Sequence, residues 1–234
     1  EDGIRDIGVT GVQTCALPIS LIGNNDANNL SGDAGNDTLI ASSGNDTLDG
    51  GSGNDTANYN ALGSVVSLGA FGVLRKGALG TDTLIGVESI IGSSLLGDTI
   101  DHSGASVAPA TGTVTHLSTG VVTVNGTASP LPLTFNVSQF ENVIGSGFAD
   151  TITGNAANNS LAGGAGNDSL IASAGNDTLD GGSGVDTANY SDLGSVVSLG
   201  AFGVLRKGAL GTDTLIGVES IIGSSLLGDT IDHS

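Results

Sequence analysis

A nine-residue period runs through two stretches of this 234-residue chain and constrains its fold more than any other feature. The first stretch reads GNNDANNLS from Gly23, GDAGNDTLI from Gly32, ASSGNDTLD from Ala41 and GGSGNDTAN from Gly50. The second reads GSGFADTIT from Gly145, GNAANNSLA from Gly154, GGAGNDSLI from Gly163, ASAGNDTLD from Ala172 and GGSGVDTAN from Gly181. The template is G-G-x-G-x-D-x-U-x, with U a large aliphatic residue. Consecutive in-register blocks dictate a repeat architecture, in which each unit buries its apolar face against its neighbours. Glycines at the first, second and fourth positions permit positive φ and close backbone approach. Asparagine at the fifth (Asn36, Asn45, Asn54, Asn167, Asn176) is expected to tolerate left-handed geometry. The last three residues, as in Thr38-Leu39-Ile40, extend the chain and turn one aliphatic side chain inward. A turn and a strand in alternation wind a solenoid, and two blocks complete one coil.

That winding pairs carboxylates. Turns two blocks apart stack on the same edge, spaced by the inter-strand distance of ~4.8 Å. Asp37 stacks on Asp55 on one edge, and Asn28 on Asp46 on the other. In the second stretch Asp150, Asp168 and Asp186 form one column, with Asn159 and Asp177 opposite. Two carboxylates ~5 Å apart repel by roughly 1–3 kcal/mol at effective dielectrics between those of water and a protein surface. Stacking therefore calls for a positive charge between them. The donors on offer are aspartate carboxylates and the carbonyls of turns built on Gly32, Gly35, Gly50, Gly53, Gly163, Gly166, Gly181 and Gly184. No cysteine or histidine lies in the blocks. Hard oxygen ligands in flexible turns suit Ca²⁺, whereas Zn²⁺ favours nitrogen and sulfur. Full sites are expected at Asp37/Asp55, Asp150/Asp168 and Asp168/Asp186, with weaker ones at Asn28/Asp46 and Asn159/Asp177, where an amide replaces one charge. Asp33 stands at the second position, which the template gives to glycine, and puts the geometry of its turn in question.

The repeated block resembles the RTX (repeats-in-toxin, haemolysin-type) calcium-binding nonapeptide. The resemblance implies an all-β fold: right-handed parallel β-roll (β-solenoid) tracts of nonapeptide repeats separated by β-strand spacer segments. It also implies Ca²⁺ as the cofactor, export through a type I secretion apparatus and folding outside the cell. One large aliphatic residue per nine does not offset the entropy of ordering the block, so the tracts are expected to fold on binding calcium.

A longer repeat contains the short one. Sliding Leu62 onto Leu193 superposes the chain on itself, and positions 62–103 are identical to positions 193–234. The expected organisation is β-roll tract 1 over residues 20–58, a β-rich spacer over 59–144, β-roll tract 2 over 145–189 and a truncated copy of the spacer over 190–234. The chain reads as an internal piece of a longer array. Residues 1–19, EDGIRDIGVTGVQTCALPI, are unlike anything downstream. In a single frame they resemble the translation of a sequencing-library adapter, and no structure is expected of them. Cys15, the only cysteine, falls in that segment and leaves no disulfide for the rest.

In the spacer, strands are expected at residues 64–68, 72–76, 82–85, 113–117, 121–124 and 133–137, punctuated by Gly120, Asn125-Gly126, Pro130 and Pro132. The segments GDTI (from Gly97) and FADTI (from Phe148) read as worn half-repeats that return the chain to the solenoid. Arg75-Lys76 and Arg206-Lys207 read as solvent-facing residues that offset local acids.

Acids number 24 against 5 bases, a net charge of -19, which excludes a nucleic-acid partner. No apolar run reaches the ~18 residues of a membrane span. His102, His116 and His233 lack metal-ligand spacing, and no G-x-S-x-G elbow is present. The chain is therefore read as no enzyme but a calcium-binding module of a secreted or cell-surface bacterial protein. Two alternatives stay open. One is the secretion and folding scaffold of a larger RTX enzyme or toxin. The other is the repeat region of a surface adhesin or S-layer-like protein with a cell-surface, glycan or protein partner.

Overall fold

The computed structural model describes residues 17–69, 72–105, 112–125 and 133–232. Most of the adapter-like segment, together with Gly126, Pro130, Pro132 and His233, lies outside the described residues. The structure is all-β, with 43% of the described residues in strands. Among the described residues the only helical turns are three-residue 3-10 segments, and no helix is long and apolar enough to cross a membrane.

Each nonapeptide contributes one strand, three residues long except at Ser160–Ala165 and Thr178–Ser183, which run for six, and successive strands alternate between two sheets. Each strand therefore pairs with the one two blocks on: Ser20 sits beside Thr38, Thr38 beside Thr56, Asn29 beside Thr47, Ser169 beside Thr187 and Ser160 beside Thr178, all parallel. The middle residue of each strand points inward. Leu39, Leu48, Ala57, Ile152, Leu161, Leu170, Leu179 and Ala188 are buried, and together they form a core one side chain deep per strand. This is a β-roll.

The spacers continue the same two sheets. The first sheet runs Ser20–Ile22, Thr38–Ile40, Thr56–Asn58, Ser89–Ile91, Leu133–Ser138, Val121–Val124, Thr113–His116, Thr151–Thr153, Ser169–Ile171, Thr187–Asn189 and Ser220–Ile222. Its antiparallel meander, Thr113–His116 to Leu133–Ser138, is inserted between parallel neighbours. In the second sheet Ser67–Gly69, Val73–Arg75 and Thr81–Ile85 form a similar meander, parallel to Thr47–Asp49 on one side and to Thr99–Asp101 on the other. Its copy in the second unit is Ser198–Leu199, Val204–Arg206 and Thr212–Ile216. The strand at Thr99–Asp101 is the GDTI half-repeat back in solenoid register.

Two turn expectations resolve differently. None of Asn36, Asn45, Asn54, Asn167 and Asn176 has a positive φ; the left-handed residue is the glycine before each, as at Gly35 (φ 140°) and Gly166 (φ 134°). The asparagines instead form a ladder between coils. Asn36 Oδ1 accepts from the Asn54 N–H at 3.0 Å, Asn167 Oδ1 from Val185 at 3.0 Å and Asn45 Oδ1 from Thr81 at 2.8 Å. Asp33 adopts φ 67° itself, and its carbonyl accepts from the Ser52 N–H at 2.9 Å, so the turn survives without glycine.

Replacing Leu170, fully buried, by alanine is expected to destabilise the calcium-saturated protein by about 2–5 kcal/mol. Asn167→Ala, which removes one rung of the ladder, should cost about 1 kcal/mol. Urea unfolding of the two variants side by side checks the ranking.

Candidate functional site: two columns of buried carboxylates

The aspartate at the sixth position of each turn folds back over its own loop. There its Oδ1 accepts a hydrogen bond from the backbone N–H of the equivalent residue one coil earlier. Asp37 N–H donates to Asp55 Oδ1 at 2.8 Å, Asp150 to Asp168 at 2.8 Å and Asp168 to Asp186 at 2.8 Å. On the opposite edge Asn28 N–H donates to Asp46 at 2.9 Å and Asn159 to Asp177 at 2.9 Å. All five stacked pairs expected from the two-block coil are therefore brought together, and Asp37, Asp46, Asp55, Asp150, Asp168, Asp177 and Asp186 are all buried.

Each column runs further than the nonapeptides. On the first edge Asp55 N–H donates to Glu88 Oε2 and Asp186 to Glu219 Oε2, both at 2.8 Å. On the second edge Asp46 N–H donates to Asp82 Oδ1 and Asp177 to Asp213 Oδ1, both at 3.0 Å. Asp98 N–H likewise donates to Glu141 Oε2 at 3.1 Å. These residues escape a nonapeptide search because the spacer intervenes and lengthens the step from one turn to the next. A shorter signal is present: Asp82-Thr83-Leu84, Asp213-Thr214-Leu215, Glu88-Ser89-Ile90 and Glu141-Asn142-Val143 all keep acid-x-aliphatic at the turn-to-strand junction. At the N-terminal end of tract 1, the Ile19 N–H fills the donor role on Asp37 at 2.9 Å.

The second carboxylate oxygen distinguishes the sites. In Asp37, Asp55, Asp168 and Asp186, Oδ2 is buried and has no hydrogen-bond partner among the described residues. Bare buried carboxylate oxygens are costly, because the charge has left water with nothing to balance it. Beside each lies the first glycine of the turn. A Cβ on Gly32 would stand 2.5 Å from Asp37 Oδ2 and 2.5 Å from the Gly50 carbonyl oxygen. One on Gly50 or Gly181 would stand 2.7 Å from the Oδ2 of Asp55 or Asp186. One on Gly163 would stand 2.6 Å from the Gly181 carbonyl oxygen, against Asp168 Oδ2. Carboxylate and carbonyl oxygens thus converge at a spot that only glycine leaves open. The donor set fits a hard divalent cation. Among the described residues no three His, Cys, Asp or Glu side chains gather, so further ligands would be main-chain carbonyls.

Asp150 differs. Ser146, at the second position of its turn, donates to Asp150 Oδ2 through its N–H at 2.6 Å and through Oγ at 3.0 Å. Ser93 and Ser224 serve Asp98 and Asp229 in the same way, with N–H donors at 2.5 and 2.7 Å. The worn half-repeats thus carry their own donor.

Lys76 and Lys207 depart from the solvent-facing placement expected of them: both are fully buried. Lys76 Nζ lies 3.2 Å from Asp46 Oδ2 and 2.5 Å from Asp82 Oδ1, and Lys207 Nζ lies 3.0 Å from Asp177 Oδ2 and 2.5 Å from Asp213 Oδ1. Arg75, next to Lys76, is exposed, 4.0 Å from Asp101. Burial pushes the Asp82 and Asp213 carboxyls up, against the ammonium hydrogen bonds that hold them down. The tyrosine hydroxyls that donate to them, Tyr59 at 2.9 Å and Tyr190 at 3.0 Å, are pushed far above their ordinary range by burial and by the carboxylate charge. His102 is buried beside Thr115, and desolvation lowers it to about 4, so it is neutral at pH 7.

A family model for the RTX calcium-binding nonapeptide repeat, spanning four copies, matches residues 22–57, 140–170 and 153–188. The chain carries RTX calcium-binding repeats. Among the described residues, the matched segments hold every buried carboxylate with a bare oxygen. Among solved structures, the chain is similar to the extracellular lipase LipA from Serratia marcescens at 16% identity and a TM-score of 0.21. That match covers 88% of this chain and 39% of the lipase chain, so this chain spans well under half the lipase's length. No curated protein gives a match.

Within the RTX columns, burial and the charges of Asp150 and Asp186 push Asp168 up to about 6. A folded-state value above the ordinary one means that the metal-free fold holds a proton the unfolded chain releases. The stability this supplies is complete below about pH 4 and is lost as the pH rises through about 6. In chelator, the melting temperature is therefore expected to rise as the pH falls from 7 to 5. In excess calcium it should fall over the same range, because protons compete with the ion. Melts of the wild type and of Asp168→Asn, which lacks this proton equilibrium, check that the two slopes have opposite signs and that the variant's chelator slope is shallower.

Proposed function

We propose that the chain is a non-catalytic structural module whose β-roll tracts fold on binding calcium outside the cell. The observation that carries this reading is the set of bare Oδ2 atoms on Asp37, Asp55, Asp168 and Asp186, each against a glycine cradle. The main sites are Asp37/Asp55 and Asp168/Asp186, with carbonyls of the turns at Gly32, Gly35, Gly50, Gly53, Gly163, Gly166, Gly181 and Gly184 completing the ligand sets. Asp150/Asp168 is weaker, since Ser146 already serves Asp150. Asn28/Asp46 and Asn159/Asp177 are weaker again. Bound calcium supplies two positive charges to oxygens that otherwise repel one another.

The chain's own residues do the rest. The glycines hold the loops open, the Asp N–H groups orient each carboxylate, and the inward aliphatic side chains close the coil once the charge is neutralised. Such a module suits secretion, because calcium is scarce inside a cell and plentiful outside, so the coils that depend on the ion stay unfolded until they leave. The absence of cysteine after Cys15 is consistent with a fold stabilised by ions rather than disulfides. The two near-identical long units favour a surface array over a short appendage to an enzyme.

The test is a calcium titration followed by far-UV circular dichroism. The wild type is expected to gain β signal between chelator and millimolar calcium, and an identical spectrum in both contradicts the reading. Asp186→Asn should raise the calcium concentration at half-folding about tenfold or more, since ligand charge sets affinity at such sites.

A further inference from the structure

We propose that the ammonium groups of Lys76 and Lys207 are the resident cations of the second edge, each filling a position that would otherwise take a divalent ion. This rests on the calcium reading of the first edge and extends it: each long unit would carry calcium-dependent coils on one edge and a calcium-independent clamp on the other.

Three observations converge. The first is the coordination of the nitrogen. Lys76 Nζ contacts the Ser42 carbonyl oxygen at 2.6 Å, Asp46 Oδ2 at 3.2 Å and Asp82 Oδ1 at 2.5 Å. Lys207 Nζ repeats this with the Ser173 carbonyl at 2.7 Å, Asp177 Oδ2 at 3.0 Å and Asp213 Oδ1 at 2.5 Å. Three N–H donors meet one turn carbonyl and two carboxylates of adjacent coils. Carboxylate and turn carbonyl oxygens also converge on the first edge, where the carboxylate Oδ2 atoms stand bare. The second is the contrast in satisfaction. Every oxygen of Asp46, Asp82, Asp177 and Asp213 has a partner, while the Oδ2 atoms of Asp37, Asp55, Asp168 and Asp186 have none among the described residues.

The third is in the sequence. The turns facing the lysines begin Ala41-Ser42 and Ala172-Ser173, where the first-edge tract turns bearing bare carboxylates begin with glycine. A methyl group stands where those turns keep an open cradle. The coil preceding each lysine-facing aspartate carries Asn28 or Asn159, so the column's charge is reduced to suit a monovalent partner. The meander before each lysine thereby acquires a role: Val73–Arg75 and Val204–Arg206 run directly into the buried ammonium. A lysine inside a protein needs such partners, since an unpaired buried charge is strongly destabilising.

The experiment compares the full chain with Lys207→Met, which keeps most of the stem and removes the charge. Bound calcium is counted by equilibrium dialysis, and amide hydrogen exchange is followed in chelator. Wild type is expected to keep protection at Thr178–Asp180 and Thr212–Ile216 in chelator. Lys207→Met should lose it, regain it in millimolar calcium, and bind one more ion per chain. A count no higher than that of wild type overturns the proposal. The triple variant Lys207→Met, Asp177→Asn, Asp213→Asn removes the facing charges as well; it should stay protected in chelator and take up no extra ion. Loss of protection in the triple variant also overturns the proposal, because the packed stem rather than the charge would then be holding the coils. Should wild type bind no calcium at all, the calcium reading fails, and the exchange data in chelator still decide the part played by the lysine.

Discussion

The structure depends on how one buried carboxylate per turn is neutralised. Winding in two-block coils places the sixth residue of each turn beneath its counterpart, with one oxygen tied to the neighbouring N–H. That bond fixes the carboxylate's direction and leaves the second oxygen facing the turn. Three solutions occur along the chain. Serine donors satisfy the buried Asp98 and Asp150, and the exposed Asp229 in the same manner. Lysine ammonium groups satisfy the pairs at Asp46 and Asp177. At Asp37, Asp55, Asp168 and Asp186 no described residue pairs with the second oxygen, and the glycine beside each leaves room for an ion. Electrostatics alone thus sorts otherwise similar turns into self-sufficient and ion-dependent ones.

The core cannot replace that neutralisation. Each coil buries two inward side chains, and some are no larger than Ala57 or Ala188. Ladder hydrogen bonds and the asparagine rungs add directional support, yet both form only when the coils are already stacked. Stacking in turn concentrates the carboxylates. A fold of this kind is cooperative with its counter-ions in a way a large apolar core is not. The spacers moderate the dependence by continuing both sheets with antiparallel strands and by carrying serine and lysine partners into the columns.

Much of this is legible in the residues. The period gives the coil length, the two-sheet alternation and the inward Leu39, Leu48, Leu170 and Leu179, because one residue type per position serves one geometric role. The stacked pairs follow from the same count. The burial of Lys76 does not, because nothing local marks it. Its partners Asp46 and Asp82 sit on either side of it in the chain, across a meander whose docking only the assembled sheet defines. Beside exposed Arg75 it reads as one more surface base. The ladder role of Asn36 and Asn167 is likewise hidden: a residue after glycine in a turn invites a backbone explanation, while its side chain works one coil away. Glu88 and Glu219 escape notice because the extra methylene and the changed offset break the repeat template, although the acid-x-aliphatic junction persists.

Crystals grown with calcium, with anomalous scattering used to locate the ions, test the central claim most directly. Peaks are expected beside the Oδ2 atoms of Asp37, Asp55, Asp168 and Asp186, and none within the lysine-held pairs at Asp46/Asp82 and Asp177/Asp213. A folded chain whose map shows no ion between the Asp168 and Asp186 turns would contradict it.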